Sequence, residues 1–263
     1  MSKVGTIESL WRYPVKSMRG EEIDQAFMGF GGVYGDRLYA FTSDAAEAAF
    51  PWLTGREQRK MVLYTPRFRH PDRAKLPPNM TEAIGSDPAL TPLYGSEEGL
   101  ALDIETPDGA VLAIDDPALH DHLNEGIGRK HGLTLQRSDR AMTDCRPLSL
   151  CSLATVNQLA AESRRAIDKR QFRANTYLDL EGGKGFAEND FIGKRLKIGE
   201  QAVVTVLERD PRCAMITLNP DSAERDPAIL THVSKVHEGY TGVYAAVLVE
   251  GVMKSGDKVE LLD

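Results

Sequence analysis

Apolar and polar residues alternate with a period of two along much of this chain, the pattern of strands with one face buried. TIESLWRYPV near the start alternates in this way and stops at Pro14. LYAFTSD, after the glycine-rich GFGGVYGDR, reads as a further strand. ALDIETPDGAVLAID holds two alternating runs around Pro107-Asp108-Gly109, which is turn chemistry, and predicts a hairpin. Residues 66–92 contain six of the 14 prolines and predict a long irregular excursion.

From about residue 120 the texture changes. LHDHLNEGIG predicts a short helix ending at Gly126. LCSLATVNQLAAESRRAI predicts the best helix of the chain, with Leu153, Val156, Leu159 and Ala160 on one face and Ser152 as its N-cap. Strand patterns then return in NTYLDL, KRLKIG, AVVTVLE, GVYAAVLVEG and KVELL. The expected fold class is mainly β with few helices (α+β), in two β-rich parts, 1–118 and 119–263, the second opened by a helix.

Composition adds limits. With 263 residues the chain can bury a core without staples, and 41% hydrophobic with 27% charged residues is ordinary for a globular protein. A net charge of −7 argues against a general nucleic-acid or anionic-membrane surface. The start shows no apolar signal region, and no apolar run is long enough to span a bilayer. The three cysteines, Cys145, Cys151 and Cys213, show no CxxC spacing, which leaves neither a disulfide framework nor a zinc ribbon. A cytoplasmic protein is the expectation.

Familiar motifs fail. GFGGVYG is not GxGxxG, GGKGF is not a P-loop, no GxSxG occurs, and His237-Glu238 begins an HExxH that Thr241 breaks. His120 and His122 flank an aspartate and read as an exposed helix end. Three stretches remain that combine cations with hydroxyls or glycines: YPVKSMRG with Lys16, Ser17 and Arg19; Gly35-Asp36-Arg37; and QFRANTYLD with Arg173 and Asn175. Singly each reads as a solvated turn. Converging, with the N-terminus of the helix after Ser152, they would cradle a phosphate-bearing small molecule.

RDPRCAM places Cys213 beside Arg212, with Arg209 four residues back. Neighbouring guanidiniums favour a thiolate, whereas burial makes a cysteine an inert hydrophobe. Both readings stand on these residues alone.

The ordered set IESLWRYPVKSMRGEEI, GVYGDRLYAF, LSLCSLATVNQL, FRANTYLDL, DPRCAMITLNPD and GVYAAVLVEGVMKSGDKVELL resembles MOSC-domain proteins. The N-terminal third resembles the β-barrel-like domain that accompanies MOSC in the mitochondrial amidoxime reducing component and its bacterial relatives. The likeness spans nearly the whole chain and lapses across residues 66–98. It implies an N-terminal β-barrel domain followed by a MOSC β-barrel domain, and molybdenum cofactor (Mo-molybdopterin) as the ligand. It further implies that Cys213 is the protein's ligand to the metal and catalytic centre, or a persulfide-bearing sulfur. Lys16, Ser17 and Arg37 match cofactor-holding positions, Arg173 and Arg212 match further contacts, and Ser152, Thr155 and Asn175 lie in matching motifs. Pyridoxal phosphate binding is attached to the family as a label only.

The chain departs from its bacterial relatives in two places. SAERDP replaces the small Thr-Gly step after NPD. No ferredoxin-like domain follows the last strand, so electrons are expected from a separate donor, ferredoxin-like or a flavin reductase. The implied activity is two-electron reduction of a small N-hydroxylated substrate, with no nucleic-acid or membrane partner. The competing expectations are a carrier, of Cys213 persulfide sulfur or of the cofactor without turnover, and an interaction module that keeps the fold without chemistry.

Overall fold

The structure, a computed structural model, describes residues 1–81, 97–127 and 130–262. Elements are numbered in chain order. The alternating first strand, β1 (Ser2–Arg12), becomes the seam of a barrel. It pairs antiparallel with β11 (Thr176–Leu180) on one side and β16 (Lys258–Leu262) on the other. From β11 the sheet continues through β10 (Leu148–Ser152), β14 (Tyr240–Val249), β13 (Ala202–Pro211) and β12 (Arg195–Ile198) back to β16, closing a seven-stranded barrel. Closure leaves no open edge along these strands. β2 (Glu21–Ile23) extends the sheet beyond β1.

The interior is filled by alternate residues of these strands, among them Ile7, Leu10, Leu150, Leu178, Leu196, Val204, Val243 and Val259. Each such side chain contributes about 1.5–3 kcal/mol relative to exposure. β10 and β11 run parallel, and parallel neighbours need a crossover. Helix α2 (Leu153–Ser163) begins that crossover and packs with α3 (Pro227–Val236) over a second cluster that includes Trp11, Tyr13, Cys151, Phe172, Tyr177 and Val233.

Smaller sheets surround the barrel. β3 (Gln25–Gly29) joins β4 (Gly32–Val33) and β15 (Gly251–Lys254), while β5 (Tyr39–Ser43) pairs with β9 (Leu133–Arg137). β6 (Thr65–Phe68), β7 (Leu102–Glu105) and β8 (Val111–Ala113) form a meander. Helix α1 (Pro117–Asn124) follows, with Asp116 as N-cap and Gly126 at φ +74° just past its end. Four strand pairings cross residue 118: β1 with β11 and β16, β3 with β15, and β5 with β9.

The mainly β class is as expected, with three α-helices among the described residues. α3 went unread in the sequence, although Asp226-Pro227 caps it and Ile229 and Val233 recur at helical spacing. Of the proline-rich excursion, residues 65–68 form β6, and 82–92 lie outside the described residues. No helix among the described residues is long and apolar enough to cross a membrane.

Candidate cofactor cleft

Several segments meet beside the barrel: the turn after β1, the turn before β5, residues 50–56, residues 143–149, the approach to β11, the end of β13 with the turn after it, and Tyr244 of β14. They line a cavity of about 170 Å³. It brings together Lys16, Ser17, Arg37, Arg173, Asn175, Arg212 and Cys213, which lie far apart in sequence. The lining holds six cationic side chains, Lys16, Arg37, Arg56, Arg146, Arg173 and Arg212, against two carboxylates, Asp144 and Asp210. In a chain of net charge −7 this is a local reversal of sign, suited to an anion.

The backbone here is strained in a consistent way. Ser17, Arg37 and Arg173 adopt φ of 65°, 41° and 54°, the left-handed region that L-residues avoid. Each costs on the order of 1–3 kcal/mol, and such residues persist only where surrounding structure holds them. Arg37 N–H donates to the Tyr13 carbonyl at 2.7 Å, and Arg173 caps the 3-10 turn of Lys169–Phe172.

Most of the cations are already matched. Lys16 Nζ meets Asp144 and donates to the Met142 carbonyl at 2.9 Å, with Phe50 and Trp52 rings 5.6 Å away. Burial pushes its pKa down, opposed by Asp144. Arg37 pairs with buried Asp36 at 2.6 Å and lies 4.4 Å from the Tyr13 ring centroid. Arg146 pairs with Glu208 at 2.7 Å. Arg212 is tied to Asp210 at 2.8 Å and donates to the carbonyls of Thr241 and Phe172 at 2.7 and 2.8 Å. Asp210, which also accepts from Ser149 Oγ at 3.0 Å, has its pKa raised by burial against the opposing pull of Arg212.

Arg173 is different. Its Nη1 donates to the Met18 carbonyl at 2.7 Å, and its guanidinium lies 4.3 Å from the Tyr13 centroid. Its Nη2 is buried without a partner, and no carboxylate among the described residues pairs with it. Burial, with the neighbouring Arg37 charge, pushes its pKa down to about 10. A buried donor left unmet costs about 1–3 kcal/mol, more when charged, so the site is built for an acceptor the protein does not supply.

Cys213 follows β13 and caps the 3-10 turn Ala214–Thr217. It is partly exposed and its side chain makes no capping bond. Gln171 Nε2 donates to the Ile216 carbonyl at 2.8 Å, which clamps the cysteine's turn to the segment carrying Arg173. Of the other cysteines, Cys151 is buried in the core, with its thiol pKa pushed well up by burial. Cys145 is exposed beside Glu208.

Ser152 and Thr155 do not line the cleft. Both are fully buried, and their hydroxyls donate to Glu188 Oε2 at 2.9 and 2.8 Å. The N-terminus of α2, read from sequence as a ready anion site, already holds an anion, the carboxylate of Glu188. Asn175 does line the cleft, where its amide bridges the Trp11 carbonyl and the Ser149 N–H at 3.3 and 3.4 Å. Sequence reading missed Arg56, Thr143, Asp144, Gln171 and Tyr244. Asp210, legible from its place beside the cysteine, pairs with an arginine, Arg212.

The geometry can be set beside known proteins. Residues 137–260 match the MOSC domain family and residues 4–87 the MOSC N-terminal beta barrel domain. The chain is similar to mitochondrial amidoxime reducing component 2 of Rattus norvegicus, 24% identical over 249 residues, covering 84% of this chain and 69% of that protein. The protein of the same name from Bos taurus is 24% identical over 248 residues, covering 86% and 70%. Among solved structures, the YUAD protein from Bacillus subtilis aligns over 98% of this chain and 95% of that one. Its sequence identity is 14% and the TM-score is 0.48.

Proposed function

We propose that this chain, which joins a MOSC N-terminal beta barrel domain to a MOSC domain, is a molybdenum-cofactor-dependent oxidoreductase that reduces N-hydroxylated small molecules. The observation that carries the cofactor reading is the unmet, buried Arg173 Nη2 in a cationic cleft that also presents Cys213. Molybdopterin brings a phosphate, an acceptor for such a donor, and a dithiolene, and a soft thiolate suits a metal already bound by sulfur. The residues present fit this group.

Arg173, with Lys16, Ser17 and Arg37 beside it, would hold the anionic end, and Cys213 would ligate the metal. Arg212 and Asn175 act one step back: both are spent on the protein's own groups and fix the walls of the cleft. When bound, the cofactor supplies a two-electron couple. The reaction cleaves the substrate N–O bond, consumes two electrons and two protons, and releases water. The electrons come from a separate donor protein, ferredoxin-like or a flavin reductase. The names of the two mitochondrial relatives support the amidoxime class of substrate. All three cysteines are unpaired, which supports a reducing compartment such as the cytoplasm. Neither the family matches nor the relatives' names speak of pyridoxal phosphate or sulfur carriage.

The test is metal analysis of protein made in a host that assembles molybdenum cofactor, followed by turnover of an amidoxime with an artificial reductant. One molybdenum per chain, lost in Cys213→Ala, and amidoxime reduction are the expected results. Molybdenum without turnover would make the chain a cofactor carrier. A persulfide on Cys213 without molybdenum would make it a sulfur carrier.

A further inference from the structure

A second constellation lies outside the cleft, on the two helices. Glu162 stands at the end of α2, His232 in the middle of α3, and His237 caps α3. Among the described residues these three form the group of metal-ligating side chains whose ligand atoms all lie within 4.8 Å of one another. His232 Nε2 is 3.1 Å and His237 Nε2 2.6 Å from the same oxygen, Glu162 Oε2.

Two of the three ligands are held from behind. Gln158 Nε2 donates to Glu162 Oε1 at 2.7 Å, which leaves Oε2 to the imidazoles. The His237 ring stacks on Phe186 at 4.0 Å and 19°, and its backbone N–H donates to the Val233 carbonyl at 2.9 Å. Phe186 sits at φ 62° with its N–H bonded to Thr155 Oγ1 at 2.6 Å, so the stacking face is itself fixed to the buried base of α2. Such support of first ligands by outer partners is the usual anatomy of a metal site.

We propose that Glu162, His232 and His237 bind a zinc ion, with solvent completing its coordination. Two imidazoles and a carboxylate suit Zn²⁺, whose ligand atoms stand roughly 3.3 Å apart in a tetrahedral site. The two separations from Glu162 Oε2, 3.1 and 2.6 Å, lie within about 0.7 Å of that spacing. Glu162 is exposed and both histidines are partly so, which leaves an approach for the ion and room for water. The ion ties the end of α2 to the end of α3. The first helix leads toward Arg173 and the second packs on the turn after Cys213, so zinc braces the cleft without entering it. This reading does not rest on the molybdenum assignment.

The experiment uses the full chain carrying Cys145→Ser and Cys213→Ser, so that accessible thiolates do not bind the probe. The protein is stripped with a chelator and titrated with Zn²⁺ against a chromophoric competitor. One equivalent is expected at micromolar free zinc, with affinity at least ten-fold weaker in His232→Ala and in Glu162→Gln. The Glu162→Gln change is isosteric and exposed, so it keeps the test open if the histidine variant folds poorly. Zinc should raise the melting temperature of the parent and of neither variant. Equal zinc affinity in parent and variants, or no bound zinc at micromolar concentration, would overturn the site and leave the trio as two imidazoles bonded to a carboxylate.

Discussion

Arg37 Nη2 donates to the backbone carbonyl of Arg173 at 2.9 Å, which locks two like charges side by side over the Tyr13 ring. Asp36 neutralises only the first. The second guanidinium is an open demand for an anion.

Inorganic phosphate should stabilise the cofactor-free protein through Arg173. At about ten times its dissociation constant, the melting temperature should rise by roughly 3–5 °C. The Arg173→Met variant should lose that response. It should itself melt close to the parent, because an unpaired buried charge has been exchanged for apolar volume. The phosphate effect should weaken at alkaline pH, because burial lowers the pKa of both Lys16 and Arg173 and so brings loss of the cleft's positive charge closer. Thermal scans across pH check all three.

Breaking the Asp210–Arg212 pair from one side should be expensive. Both side chains are buried, so Arg212→Met should cost roughly 3–5 kcal/mol at neutral pH by urea unfolding. The sign with pH follows from Asp210. Its folded pKa is raised, so between the unfolded and folded values the native state binds the extra proton and stability falls as pH rises. Without Arg212 that window extends upward. The gap between variant and parent should therefore narrow from pH 7 to pH 5.

Ser152→Ala should act on stability alone. Removing the cap of α2 and one donor to Glu188 should cost about 1–2 kcal/mol. Molybdenum content per folded chain should stay at the parent's level. A selective loss of metal would return Ser152 to the cofactor site.

Thiol labelling of the native, cofactor-free chain should modify two cysteines, Cys145 and Cys213. Cys151 should react only after denaturation. Cofactor loading should protect Cys213 and leave Cys145 open.

Much of this could be read from sequence because it is local. The hairpin around Gly109, the Ser152 cap and the strand into Cys213 depend on neighbours a few residues away. Lys16, Arg37 and Arg173 were legible because cations clustered with turn residues seldom serve a core. What escaped depends on distant partners. Glu188 reaches Ser152 from 36 residues away and fills the helix end that looked open. The role of Arg212 was set by Thr241, 29 residues on, and by Phe172, 40 residues back. The histidines of α3 meet Glu162 across at least 70 residues, a distance no spacing rule covers.

The seam of the barrel also sets an order of events during synthesis. β1 is made first, yet one of its partners is β11 and the other is β16, at Lys258–Leu262. The turn that carries Lys16 and Ser17 hangs directly from it. β2 can cover the end of the opening strand early, and β11 later, but the edge that meets β16 stays open until residues 258–262 are made, and closing so long a loop is slow. The walls around Lys16 and Ser17 thus settle late, once β16 has closed the barrel.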